Sequence, residues 1–284
     1  MGKRVACALC GGKTTRWAQW PGLPMGTTWN LYMCPTDQIL TVAGADLTAI
    51  HVDQLDFHER KFAPTLESVP GKREDMDRLV DELKWWLGEP GARVDELGAG
   101  RAAITAALAR RGYEVVSSEP SEQMVATAHA DYGLNDLQLR ALTATQHLRE
   151  LPDESTDNIV MWHVLEHVDT PLQVLQEVRR VLRPRGCLVL QMPLVAPEAL
   201  FAAHAFVVLP RFPEALARLM EMTVAYVAVD LERLFITVVL SREDLGIDDR
   251  RPADLPLAGL PGDMAVWLAA SRLQDVRWQQ EVPE

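Results

Sequence analysis

Val94-Asp95-Glu96-Leu97-Gly98-Ala99-Gly100-Arg101-Ala102, followed at residues 114–124 by Glu-Val-Val-Ser-Ser-Glu-Pro-Ser-Glu-Gln-Met, decides the fold. A short apolar strand runs into a turn with two glycines. Ala103 to Arg111 is Ala- and Leu-rich and reads as a helix, and Val115-Val116 opens a second strand that leads to the acidic Glu119. Strand, glycine turn, helix and strand in that order form a βαβ unit. Gly98 and Gly100 leave room for the backbone to approach a ligand, and Ala102 lets helix and strand pack closely. Glu119, 21 residues past Gly98, is placed to accept hydrogen bonds from ribose hydroxyls.

The residue before the turn separates two classes of nucleotide ligand. Dinucleotide sites use a third glycine and the positive end of a helix to hold pyrophosphate. Here Glu96 stands two residues before Gly98, where a carboxylate repels pyrophosphate but suits a cationic amino-acid moiety. The charge favours S-adenosylmethionine.

The segment resembles motif I of the class I S-adenosylmethionine-dependent methyltransferases, and the resemblance continues downstream. Leu151 to Val160 is similar to the family's approach to its fourth strand. Trp162-His163-Val164-Leu165-Glu166-His167-Val168 resembles its Leu-Glu-His-Val helix, and Arg180 to Leu190 its proline-glycine turn and fifth strand. The similarity runs from about Val94 to Pro193 in the family's order. It implies an α/β, Rossmann-like seven-stranded methyltransferase sheet with helices on both faces and S-adenosylmethionine as cofactor. By the same resemblance Glu96, Gly98, Ala99, Gly100 and Glu119 contact the cofactor. Pro120 and Met124 offer apolar contact to adenine, Thr143 and Ala144 stand in the loop after the third strand, and Trp162 and His163 line the site.

His163-x-x-Glu166-His167 admits several readings. On a helix the spacing puts all three side chains on one face, and taken alone the pattern suits the zinc site of inverted zinc peptidases. Its place after the fourth strand of a methyltransferase-like sheet argues against a peptidase. Some quinone-pathway methyltransferases carry Glu-x-x-Glu-His here and hold a divalent cation, with His163 replacing the first glutamate in this chain. His163 or His167 is also a candidate general base, since an unperturbed imidazole with a pKa near ~6.5 deprotonates an acceptor hydroxyl or amine at neutral pH. A purely structural or cofactor-lining role is the third reading.

Three of the four cysteines crowd the N-terminus as Cys7-Ala8-Leu9-Cys10-Gly11-Gly12 and Cys34-Pro35-Thr36-Asp37. Two such knuckles converge on one point in a zinc ribbon. Asp37 takes the place of a fourth cysteine, with His51 the other candidate ligand; a metal-free hairpin and a redox pair are the alternatives. A zinc ion here would be structural, stapling a module with little core of its own. Trp17, Trp20, Trp29 and Tyr32 between the knuckles read as a hairpin that covers the ribbon. Cys187 lies in an apolar run and reads as a buried strand residue.

Outward from this core the chain divides into a zinc-ribbon-like module (1–50), a helical lid or linker (51–90), the methyltransferase core (91–241) and a C-terminal extension (242–284). Met76, Leu79, Val80, Leu83, Trp86 and Leu87 recur at three- and four-residue spacing, which is one buried helix face. By resemblance Phe57, His58 and Phe62 are candidate acceptor-pocket residues. Residues 196–222 form an apolar insert containing His204, read as a surface or core histidine, and a helix is expected from Pro213. Thr223 to Val229 and Leu234 to Leu240 read as two closing antiparallel strands. The acidic, proline-rich tail covers the pocket, pairs with another subunit or stays loose.

The net charge of −12 and pI near 5.1 argue against a broad nucleic-acid footprint. No run approaches the ~18 apolar residues of a membrane helix, and the N-terminus lacks a long apolar signal region, which points to a cytoplasmic protein. The expectation is methyl transfer to a small-molecule acceptor. The ribbon-plus-core plan resembles sugar and natural-product methyltransferases, which implies biosynthesis of a secondary metabolite. An RNA base methyltransferase with a cysteine ribbon is the runner-up, and a non-catalytic cofactor-binding or regulatory protein the third reading.

Overall fold

The structure, a computed structural model, describes residues 5–22, 27–43, 72–195, 204–230, 234–243 and 245. His51, Phe57, His58, Phe62 and nearly all of the C-terminal extension lie outside these described residues. Three antiparallel strands come first: β1 (Thr15–Gly22), β2 (Thr27–Cys34) and β3 (Ile39–Ala43). Helix α1 (Lys72–Leu87) leads into β4 (Arg93–Leu97), α2 (Ala103–Arg110) and β5 (Glu114–Ser118). Then follow α3 (Glu122–Tyr132), β6 (Leu139–Arg140), α4 (Ala144–Glu150), β7 (Thr156–Trp162), a 3-10 turn at Leu165–His167, α5 (Pro171–Val181) and β8 (Leu182–Pro193). Last come β9 (Phe206–Val208), α6 (Phe212–Met220), β10 (Thr223–Asp230) and β11 (Phe235–Ser241).

Seven strands form the main sheet in the order β10-β11-β8-β7-β4-β5-β6. β4 through β8 are mutually parallel, and β11 runs antiparallel to both β8 and β10. The chain leaves β4 for β5 and β6 on one side and returns to β7 on the other. β4 is therefore the topological switch point, where open α/β sheets bind ligands beyond the strands' C-terminal ends. The expected turn before the fifth strand of the core is a bulge: Thr156 faces Leu182 and Asn158 faces Cys187, so Arg183 to Gly186 loop out of the pairing. No described helix is long and apolar enough to cross a membrane.

The stripe expected on α1 is buried at Val80, Leu83, Trp86 and Leu87, which pack with Ile104, Leu108 and Val115. Arg111 reinforces this contact by donating to Asp77 and Asp81 of α1. α1 is thus a packed layer of the core.

A second sheet has the order β1-β2-β3-β9. Its fourth strand comes from the insert after β8, with Ile39, Leu40 and Thr41 facing Val208, Val207 and Phe206. Cys7, Leu9, Cys34 and Ile39 share one buried cluster with Leu97, Met161, Leu165, Phe206 and Phe212. The N-terminal strands are joined to the core through this cluster. Within the hairpin Trp20 and Trp29 are buried against Leu31 and Val207, and half-exposed Trp17 stacks on Trp20 with 5.8 Å between ring centroids. That is the packing of a covering hairpin.

Candidate functional site

The glycine turn sits at the C-terminal end of β4. Gly98, Gly100 and Ala102 have φ of +68°, +55° and +56°, and Ala99 N–H donates to Ser118 O at 2.9 Å. Two left-handed positions fall on glycine, which adopts them without steric cost. A Cβ on Gly98 would meet Val164 Cγ2 at 2.7 Å, whereas one on Gly100 would meet nothing within 4 Å. Gly98 is thus a packing glycine and Gly100 faces open space. Glu119 closes the turn from the next strand: its carboxylate accepts from Gly100 N–H at 2.8 Å and Ser121 N–H at 3.0 Å. Burial raises its pKa more than those two N–H groups lower it.

Glu96 is buried beneath the turn, accepting from the Thr105 hydroxyl, which is itself 2.8 Å from Ser117 Oγ. Its carboxyl is pushed up to about 7, first by burial and further by the nearby Glu119. Asp95, on the opposite face of β4, forms a network that carries no sequence signature. It accepts from Arg93 Nε at 3.0 Å and from the Thr156 hydroxyl, and His147 Nε2 lies 2.8 Å away. Burial works to raise the Asp95 pKa, but hydrogen bonds from His147, Arg93 and Thr156 hold it below the usual range. This cluster ties α4, β4 and β7 together.

On the side expected to hold adenine, Pro120 is exposed and Met124 buried, with Met124 N–H capped by Ser121 Oγ. Thr143 begins α4 as half of a capping box with Gln146, and Ala144 is buried behind it. The Thr143 hydroxyl is engaged in that cap.

The His163–His167 segment departs from the expected helix. His163 has φ +57° and only Leu165–His167 forms a single 3-10 turn, so the three side chains do not share a helical face. Trp162 ends β7 half-buried. The His163 ring meets Phe235 edge-on at 4.3 Å between centroids, with its Nδ1 3.5 Å from Glu166 Oε1. Glu166 is fully buried, and His167 Nε2 lies 4.0 Å from the same oxygen. His204, read from sequence as an isolated surface or core histidine, is buried here beside His167, with ring centroids 4.7 Å apart. No spacing rule joins His204 to the motif, because it arrives from the insert. Ala205 fixes it by donating to Glu166 O and accepting from Val42 N–H of β3.

Cys7, Cys10, Cys34 and Asp37 converge as the two knuckles suggested, with one ligand atom from each within 4.8 Å of the others. Asp37 Oδ2 accepts from the Cys7 thiol at 3.0 Å and the Cys34 thiol at 3.4 Å. Backbone N–H groups of Leu9 and Gly12 point at Cys7 and Cys10 sulfur. Burial, then the Asp37 carboxylate, drives the Cys7 thiol pKa upward and that of Cys10 up to about 11. Three sulfurs and one carboxylate around one point are donors of the kind that hold a metal ion.

Residues 96–190 match the family described as methyltransferase domain. A ubiquinone biosynthesis O-methyltransferase of Aeromonas salmonicida is 32% identical over 130 residues, covering 45% of this chain and 52% of the relative. The tRNA 5-carboxymethoxyuridine methyltransferase of Escherichia coli K12 is 32% identical over 118 residues, 40% of this chain and 44% of the relative. The chain thus spans about half the length of the curated relatives it matches. Among solved structures, a Burkholderia thailandensis 1,6-didemethyltoxoflavin-N1-methyltransferase, determined with 1,6-didemethyltoxoflavin and S-adenosylhomocysteine, superposes with TM-score 0.55. The two are 17% identical, over 79% of this chain and 100% of that one. This likeness is one of fold.

Proposed function

We propose, from the match of residues 96–190 to the methyltransferase domain family, that the protein moves a methyl group from S-adenosylmethionine to a small-molecule acceptor. One observation carries the reading: the Gly98–Gly100 turn at the sheet's switch point, with the Glu119 carboxylate locked across it and open space over Gly100. In this reading Glu119 receives the ribose hydroxyls, exchanging bonds now accepted from the Gly100 and Ser121 N–H groups. Glu96, Ala99, Pro120, Met124, Ala144, Trp162 and His163 are the further cofactor contacts of this reading, and Thr143 contributes through its backbone, its hydroxyl being held in the cap.

The sulfonium is already activated, so the protein's task is to align the acceptor with the methyl group and exclude water, a contribution of up to ~7–11 kcal/mol. His167, half-buried at the same end of β7, is the better placed of the two candidate bases; His163 is packed against Phe235. An acceptor hydroxyl or amine would pass its proton to imidazole as the methyl arrives. The net charge of −12 supports a small acceptor over a polyanion.

The ribbon has a structural part in this reading. Cys7, Cys10, Cys34 and Asp37 fit Zn2+, which as a bound ion would hold the thiols as thiolates and lock the knuckles against the β3–β9 pair.

Calorimetric titration with S-adenosylmethionine and with S-adenosylhomocysteine tests the proposal. Micromolar binding of both is expected. Binding of neither would overturn it, and tight, steeply salt-dependent RNA binding would replace the small acceptor with a nucleic acid.

A further inference from the structure

The Glu166 carboxylate is wholly buried, and neither of its oxygens receives a hydrogen bond among the described residues. A buried ionised carboxylate is costly unless it is paired or bound to a metal. Around it stand His167, with a side chain 18% exposed, and His204, at 6%, while His163 Nδ1 lies 3.5 Å from Oε1 with its ring packed on Phe235. One donor atom from each of the three lies within 4.8 Å of the others. The spacing is informative: His167 Nε2 stands 4.0 Å from Glu166 Oε1, well beyond the ~2.7–2.9 Å of a charge-assisted hydrogen bond. Two imidazoles gathered around a buried carboxylate that accepts no hydrogen bond from either have the arrangement of ligands around an ion. Cation bonds near ~2.1 Å hold neighbouring ligands roughly 3–3.5 Å apart, so a small inward rotation completes the set.

We propose that Glu166, His167 and His204 form a second metal site, taking a divalent first-row transition ion. Two imidazoles and one carboxylate suit Zn2+, Fe2+, Mn2+ or Co2+ better than the all-oxygen preference of Mg2+ or Ca2+. The ligand set is not the one the sequence motif suggested. His163 is turned against Phe235, and the third ligand comes from the insert, carried on the Ala205 bridge between Glu166 and β3. Three protein ligands leave coordination positions open. The site lies one turn beyond β7, where Val164 touches Gly98, so an acceptor oxygen or nitrogen could fill an open position. That last extension rests on the methyl-transfer reading, and with an ion bound His167 serves as a ligand in place of the base role given above; the ion binding itself does not depend on that reading.

The test uses the full chain, given one equivalent of Zn2+ to fill the cysteine cluster and then titrated with Co2+ under visible and near-ultraviolet absorption. One further equivalent is expected, with weak d–d bands and no thiolate charge-transfer band. Glu166→Gln, His167→Asn and His204→Asn should each weaken Co2+ binding at least tenfold with circular dichroism unchanged, and His163→Asn should leave it intact. Absence of a second equivalent in the wild-type protein would overturn the proposal, as would equal affinity in Glu166→Gln. Because no S-adenosylmethionine is present, failure here is distinct from failure of the calorimetric test above.

Discussion

Val164 closes directly on Gly98: a Cβ at Gly98 would lie 2.7 Å from Val164 Cγ2. The turn after β7 is thereby pressed onto the turn after β4. Gly98→Ala adds this overlap to a φ of +68°, and the two together should cost roughly 2–4 kcal/mol. Gly100→Ala meets no atom and should cost only about 1 kcal/mol. Thermal unfolding compares the two. If Gly100→Ala nevertheless abolishes S-adenosylmethionine binding, the open space above it is the ligand's; unchanged affinity would place the ligand elsewhere.

Glu119→Ala removes the acceptor that Gly100 and Ser121 N–H share. Charged hydrogen bonds contribute about 1.5–3 kcal/mol each, so S-adenosylmethionine affinity should fall between tenfold and a hundredfold. Calorimetry decides, and full affinity in the variant would remove Glu119 from the site.

Glu96 gives the stability a pH dependence of defined sign. Its carboxyl, near 4.5 when unfolded, is pushed up to about 7 by burial and by Glu119. The folded state therefore holds this proton more tightly, and the contribution is complete below about pH 4.5, fades between 4.5 and 7, and is lost above 7. Glu96→Gln keeps a neutral group at every pH. At pH 8 it should be more stable than the wild type, by on the order of 2–3 kcal/mol, with the difference gone by pH 4. Urea denaturation at the two pH values measures this; a wild-type stability that does not decline across that range would contradict it.

Asp95→Ala should cost about 3–5 kcal/mol, because it strands His147 and Arg93 beside a buried void. Asp95→Asn keeps an acceptor and should cost less. The expected order in denaturant midpoint is wild type, then Asn, then Ala, and an Ala variant as stable as the wild type would show the network to be dispensable.

What the sequence revealed follows from how local each signal is. Strand, glycine turn and helix at Val94–Arg110 lie within one stretch, and the closing strands carry their own apolar runs, so the seven-stranded sheet was readable throughout. The convergence of Cys7, Cys10, Cys34 and Asp37 was equally readable, since knuckle spacing encodes it. The pairing of β3 with β9 was not, because three apolar residues inside an apolar insert carry no mark of their partner. The approach of His204 to His167 was unreadable for the same reason, and that of His147 to Asp95 because a histidine on a short helix says nothing of an aspartate across the sheet. At His163 the helical spacing misled: a left-handed residue breaks the helix before it starts, and Phe235 of β11 takes the ring.

The β3–β9 pairing makes the N-terminal strands and the insert a single inheritance. A chain trimmed to begin at α1 would leave β9 as a bare strand edge, a template for self-association, and would strip Ala205 of one of its two anchors. Any exchange of the insert must preserve three backbone pairings with β3. Grafting it onto another protein without β1 to β3 would move β9 and leave its pairing partner behind.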